Sequence, residues 1–210
     1  NGSGHYYTPV RGIGSQDPVY QNTWSDVDYW KFDALAGDRV SIGVDTPQSD
    51  VDPYIELRDS SDVTLSGSQP DGASDDNSGP GNDAYISYYT IPSDGTYYVR
   101  VGKNYSSTGI GNYEIRVQVG RGIDLESDPE YSNDSVSGAD VLTFSPSGNQ
   151  RNTTAAGVIM AGQSGNVDED YFSLGTVEAG ETVFSRVTIP EDSGLLPVIE
   201  IRNASNQVVS

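Results

Sequence analysis

The sequence predicts an all-β protein: two tandem antiparallel jelly-roll-like β-sandwiches, the second incomplete. Three observations predict it. Apolar residues come in short runs of strict alternation, the composition is rich in turn formers with 24 Gly and 11 Pro, and an internal repeat spans most of the chain.

Taken in order, the elements begin after a Gly- and Tyr-rich N-terminal segment around His5 that shows no strand pattern. Trp30 and Phe32 then alternate with polar neighbours and are assigned to the core. Val40, Ile42 and Val44 alternate with Arg39, Ser41 and Gly43, and Ile55 and Leu57 with Glu56 and Arg58. Residues 84 to 91 read as a strand whose Tyr residues leave the buried face open. Tyr97, Val99 and Val101 form one further run, and Tyr113, Ile115, Val117 and Val119 another. Period two with one apolar face means strands half-buried against a second layer. Ala36-Gly37-Asp38, Pro92-Ser93-Asp94-Gly95 and the glycine-containing stretch 105–112 supply the turns. No segment carries a helical stripe; Ser135 to Leu142 could form a short helical turn at most.

The repeat sets the domain plan. Asp26-Val-Asp-Tyr-Trp30 matches Asp168-Glu-Asp-Tyr-Phe172 at an offset of 142. Ala36-Gly-Asp-Arg-Val40 matches Ala179-Gly-Glu-Thr-Val183 at 143, and the run from Ile55 to Ser66 matches that from Ile199 to Ser210 at 144. Unit one is therefore placed at residues 1–122 and unit two at 123–210. Unit two stops at the equivalent of Ser66, without counterparts of the Tyr97 and Tyr113 strands, so it is expected to be the less stable. The chain reads as a piece of a longer protein whose targeting signal lies upstream.

Charge narrows the function. Against 31 Asp and Glu stand 11 Lys and Arg, a formal net charge of −20. Such a surface offers no cationic patch to nucleic acid or anionic lipid, and no apolar run approaches the length that spans a bilayer. It attracts cations, or simply stays solvated in a salty medium. Cysteine is absent, which excludes thiol chemistry and disulfides. His5 is the only histidine, so a Ser-His-Asp triad has almost nothing to be built from. The expectation is that the chain is not an enzyme.

Calcium takes six to eight hard oxygen ligands, which acidic loops supply. The candidate ligands in unit one are Asp26 and Asp28 before the Trp30 strand, and Asp75, Asp76 and Asp83 in a loop that also holds Asp71, Asn77 and Asn82. Those in unit two are Asp168 and Asp170, with the stretch Asp128-Pro-Glu-Tyr-Ser-Asn-Asp134 upstream. The bland alternative is polar loops in which Asp and Asn serve as turn formers. Tyr88, Tyr89, Tyr98 and Tyr105 are candidates for a ligand-binding platform that stacks on sugar or packs on a protein, against the alternative that Tyr is ordinary strand composition.

The blocks Asp26-Val-Asp-Tyr-Trp-Lys-Phe32, Ala36-Gly-Asp-Arg-Val40, Asp52-Pro-Tyr-Ile-Glu-Leu-Arg-Asp59, Ile91-Pro-Ser-Asp-Gly-Thr-Tyr-Tyr-Val-Arg-Val101 and Gly111-Asn-Tyr-Glu-Ile-Arg-Val117 together resemble the bacterial pre-peptidase C-terminal domain. Unit two is similar to the first half of the same family through Asn133-Asp-Ser135, Ala156-Gly-Val-Ile159 and Asp168-Glu-Asp-Tyr-Phe172. The resemblance implies a secreted accessory module joined covalently to a catalytic domain in the parent chain, such as a peptidase. It would stabilise or space that enzyme, or target it to a polysaccharide or protein substrate. In some members an acidic linker and the Asp-x-Asp block hold calcium, which here would be Glu130, Asn133, Asp134, Asp168 and Asp170. The linker is one residue longer than the family's arrangement.

Overall fold

The computed structural model describes residues 5–15, 26–47, 49–67, 72–189 and 193–209, the first of these segments by its backbone alone. Unit one is an eight-stranded sandwich: β1 (His5–Ser15), β2 (Asp28–Ala34), β3 (Arg39–Asp45), β4 (Pro53–Arg58), β5 (Ser74–Asp75), β6 (Ala84–Thr90), β7 (Gly95–Lys103) and β8 (Asn112–Arg121). One sheet has the order β1-β8-β3-β6 and the other β2-β7-β4-β5, and all their pairings are antiparallel. No α-helix occurs among the described residues, as the missing helical period predicts.

Alternation places the core where the sequence puts it. Val40, Ile42 and Val44 from one sheet meet Ile55, Leu57, Val99 and Val101 from the other, and all are essentially inaccessible to solvent. Trp30 is only partly buried and packs against that core from its edge. Asp38 fastens the β2–β3 turn. Its buried carboxylate receives Arg121 Nε at 2.9 Å and Nη2 at 2.7 Å, and the Leu35 amide at 2.8 Å. Burial pushes this carboxyl up, but the guanidinium and the amide outweigh it and hold it below the ordinary carboxylate range. Asp38→Ala removes the two-pronged contact with Arg121 and the cap on the Leu35 amide, so an equilibrium urea melt should show a loss of about 2–3 kcal/mol.

Residues 5–15 correct the sequence reading. The segment around His5 forms edge strand β1, paired along β8 from His5↔Arg121 to Ser15↔Asn112. An edge strand can be held by backbone hydrogen bonds to one neighbour, so its side chains need not alternate.

After β8 the chain folds back over the outer face of the first sheet. Ile123 and Leu125 are buried there, and a Cβ on Gly120 would lie 3.0 Å from both side chains, so the bare glycine allows the approach. The remaining strands are short: β9 (Asp124–Leu125), β10 (Asp140–Val141), β11 (Ser145–Ser147), β12 (Gln150–Asn152), β13 (Ala155–Ala156) and β14 (Phe172–Ser173). They form three two-stranded pairs, β9 with β13, β10 with β14 and β11 with β12.

The repeated blocks share local geometry. Asp59 N–H donates to Val63 O at 3.0 Å, and Asn203 N–H donates to Gln207 O at 2.9 Å. Leu65 N–H bonds Leu57 O, and Val209 N–H bonds Ile201 O. Asp62 and Asn206 both take positive φ, 59° and 60°. Isolated bridges join Arg58 to Thr64 and Arg202 to Val208. In the earlier block, Asp38 Oδ2 caps the Leu35 amide at 2.8 Å as Glu181 Oε2 caps the Glu178 amide at 2.8 Å. Packing differs instead. Ile55 and Leu57 are fully buried, whereas Ile199 is half-exposed and Phe184, Leu196 and Val198 are almost fully so.

Candidate metal centre

Between unit one and the β14 strand lies a group of buried oxygens. Glu126, Asp128, Asn133 and Asp168 are buried, with relative exposures of 2%, 0%, 0% and 5%. Asp170 is half-buried beside them. Each carries one buried oxygen that accepts no hydrogen bond: Glu126 Oε2, Asp128 Oδ2, Asn133 Oδ1, Asp168 Oδ1 and Asp170 Oδ1. A buried acceptor left this way costs several kcal/mol if charged, so five in one place call for a proton or a cation.

Backbone donors fix the other oxygens. Glu126 Oε1 accepts from the Val158 amide at 2.5 Å, Asp128 Oδ1 from the Asn133 amide at 3.0 Å, and Asp168 Oδ2 from the Met160 amide. The Asn133 amide group donates to Asp140 Oδ2 at 3.3 Å, which leaves its carbonyl oxygen turned the other way. Gly157 borders the group, and a Cβ there would come within 2.2 Å of Glu126 Oε2 and 3.0 Å of Asp170 Oδ2. The carboxyls of Glu126 and Asp170 lie within hydrogen-bonding reach of each other, as do those of Asp128 and Asp168. Among the described residues no group of three or more His, Cys, Asp or Glu side chains is arranged so that it could hold a metal ion as it stands, so binding one would require these carboxyls to close up around it.

Burial first, and then the neighbouring carboxylates, push these groups up. Asp128 and Asp170 rise to about 7, and Glu126 and Asp168 rise as well. In metal-free protein the folded state therefore holds these protons where the unfolded chain, with ordinary carboxylates, has released them. Raised folded values mean stability that is present at low pH and lost as pH climbs toward and through 7. Chelator-treated protein melted in urea should be at least about 2 kcal/mol less stable at pH 8 than at pH 5.

The other predicted ligands are placed differently. Glu130 is exposed, and only its amide is engaged here, donating to Ser78 O at 3.0 Å. The Asp134 carboxylate accepts from the Glu169 amide at 2.8 Å and from Asn166 Nδ2 at 2.5 Å. In unit one, Asp28 Oδ2 accepts from Tyr113 OH at 2.6 Å, and that hydroxyl accepts from Trp30 Nε1 at 2.9 Å. A β8 hydroxyl thus satisfies the very carboxylate whose repeat partner, Asp170, carries an orphaned oxygen. Asp26 is half-buried nearby. Asp75 binds the Ser78 and Tyr85 amides, Asp83 the Thr46 amide and hydroxyl, and Asp76 the Asn104 side-chain amide. Asp71 lies outside the described residues, as do the side chains of His5, Tyr6 and Tyr7.

The tyrosines do not form one platform. Tyr89 is buried in the core with its hydroxyl donating to Ser66 O at 2.9 Å, which corrects its expected place on a ligand-facing surface. Tyr88 lies under the Arg39 guanidinium, 4.3 Å from ring centroid to Cζ. Tyr98 is half-buried on β7 and Tyr105 projects from the β7–β8 loop with 77% exposure.

Glu126 was not among the ligands expected from sequence, and Asp128 entered only as the first residue of the acidic stretch that ends at Asp134. A signal was present, because Asp124, Glu126 and Asp128 alternate with the apolar Ile123 and Leu125 at the start of the acidic stretch.

The fold and this group of oxygens define an antiparallel β-sandwich module with an acidic centre on its flank. Residues 26–103 match the family model of the bacterial pre-peptidase C-terminal domain. Among solved structures, the chain is similar to the pre-peptidase C-terminal domain of collagenase from Bacillus anthracis, with 20% identity, 52% of this chain and 88% of that one covered, and a TM-score of 0.37. It is also similar to PliG, a periplasmic inhibitor of g-type lysozyme, from Aeromonas hydrophila (14% identity, 55% and 86% covered, TM-score 0.33) and from Salmonella Typhimurium (18%, 55% and 86%, 0.30). Overlays at this level do not bear on function. No curated protein matches the chain. No helix among the described residues is long and apolar enough to cross a membrane.

Proposed function

We propose that the chain is a non-catalytic accessory part of a secreted multidomain bacterial protein, with a pre-peptidase C-terminal-type sandwich in unit one and the leading part of a second copy in unit two. One calcium ion is held by Glu126, Asp128, Asn133, Asp168 and Asp170. The five orphaned buried oxygens carry this reading. Oxygen-only donors with four carboxylates suit a hard divalent cation, and backbone carbonyls or water would complete six to eight ligands. A cation would draw the two carboxyl pairs together and offset the repulsion between them. The family match over residues 26–103 and the repeated turn geometry support the modular assignment, and the family's name points to a peptidase as the covalent neighbour.

Isothermal titration of chelator-stripped protein with calcium chloride tests the metal. One equivalent should bind, and Asp170→Asn should abolish the heat. An unchanged isotherm for that variant, or no binding at millimolar calcium, ends the assignment.

A further inference from the structure

Strand β6 carries an irregularity that points toward this centre. Pairing with β3 runs Val40↔Tyr89 and then Ile42↔Ile86, so Ser87 and Tyr88 together stand opposite Ser41. Tyr88 takes φ 60°, a left-handed conformation uncommon for a bulky residue, and its amide donates to Ser41 Oγ at 3.3 Å. The extra residue shifts the phase of the strand. Ala84, Ile86 and Tyr89 enter the core, while the Ser87 side chain, on a residue only 1% exposed, reaches the chain that follows β8.

There one hydroxyl holds both ends of a tripeptide. Ser87 Oγ donates to Glu126 O at 3.1 Å and accepts from the Asp128 amide at 3.0 Å. Tyr85, two residues earlier, brings its hydroxyl to 3.5 Å from Glu126 Oε1. With both peptide groups tied to β6, the Glu126 and Asp128 side chains are fixed relative to each other. Backbone strain of the kind seen at Tyr88 concentrates where function requires it.

We infer that Ser87, aimed by the β6 bulge, is a positioning residue for the metal centre, so that unit one sets the affinity of a site whose ligands all lie beyond residue 122. This rests on the calcium reading. Groups that orient the first ligands of a metal are typically worth 10–100-fold in affinity.

Calcium titration of the whole chain tests it with wild type, Ser87→Ala and Ser87→Thr, each first melted without calcium to verify that unit one is folded. Ser87→Ala should bind calcium 10–100-fold more weakly, and Ser87→Thr, which keeps the hydroxyl, should return to within about threefold of wild type. If wild type binds and Ser87→Ala lies within twofold of it, the inference fails while the calcium reading stands. If both variants are equally weak, the hydroxyl is not the cause and the assignment to it is overturned. If wild type itself binds no calcium, the calcium reading fails first.

Discussion

Asp170→Asn is expected to change the sign of its effect on stability with calcium. In chelator the variant should melt at or above wild type, because it removes a negative charge from a half-buried group that faces Glu126. In saturating calcium it should melt well below wild type, because it removes a ligand. Ligand at 100 times its dissociation constant adds about 2.7 kcal/mol to the state that binds it. For a cooperative unit of this size that corresponds to roughly 10 °C. Wild type should therefore gain roughly 10 °C on adding calcium and Asp170→Asn almost nothing, in differential scanning fluorimetry at pH 8. The same sign at both calcium levels would mean that the carboxylate is merely a polar group.

The second large effect separates the two units. Amides of β3 and β8, in the centre of the first sheet, should exchange only through global unfolding. Amides between residues 194 and 202 should exchange at nearly the rate of an open chain. The contrast follows from packing, because Ile55 and Leu57 are sealed in the core while Leu196 and Val198 are 90% and 86% exposed. Protection should differ by at least about a thousandfold, read by hydrogen exchange with mass spectrometry. Equal protection would show that residues 194–202 are packed as their repeat partners are.

The repeat makes this contrast instructive. The turn at Asn203 copies that at Asp59 bond for bond, so short-range geometry is encoded locally by Asx side chains and a positive-φ position. Burial is not local. Ile199 has the residue type of a core strand and lacks β7 and β5 beside it, which flank Ile55.

Much of unit one was legible because alternation reports directly on a two-layered sheet. Strands β3, β4, β7 and β8 fall where Val, Ile, Leu and Tyr alternate. Two features were not legible. Strand β1 is joined through the backbone, which leaves no period in its residues. The β6 bulge breaks the alternation after Ile86, so Tyr89 rather than Tyr88 enters the core. The centre was legible in part. Asp168 and Asp170 were reached from the acidic cluster itself, and Asn133 was singled out through the resemblance, whereas Glu126 and Asp128 are brought to them because Ser87 of a distant strand holds that stretch. No local pattern encodes a contact across 39 residues.

A crystal structure of the chain grown with calcium chloride tests the central claim most directly. The account predicts one strong peak within 2.3–2.6 Å of oxygens from Glu126, Asp128, Asn133, Asp168 and Asp170. An empty centre, with Glu126–Asp170 and Asp128–Asp168 closed as proton-sharing pairs at short oxygen–oxygen distance, would contradict it.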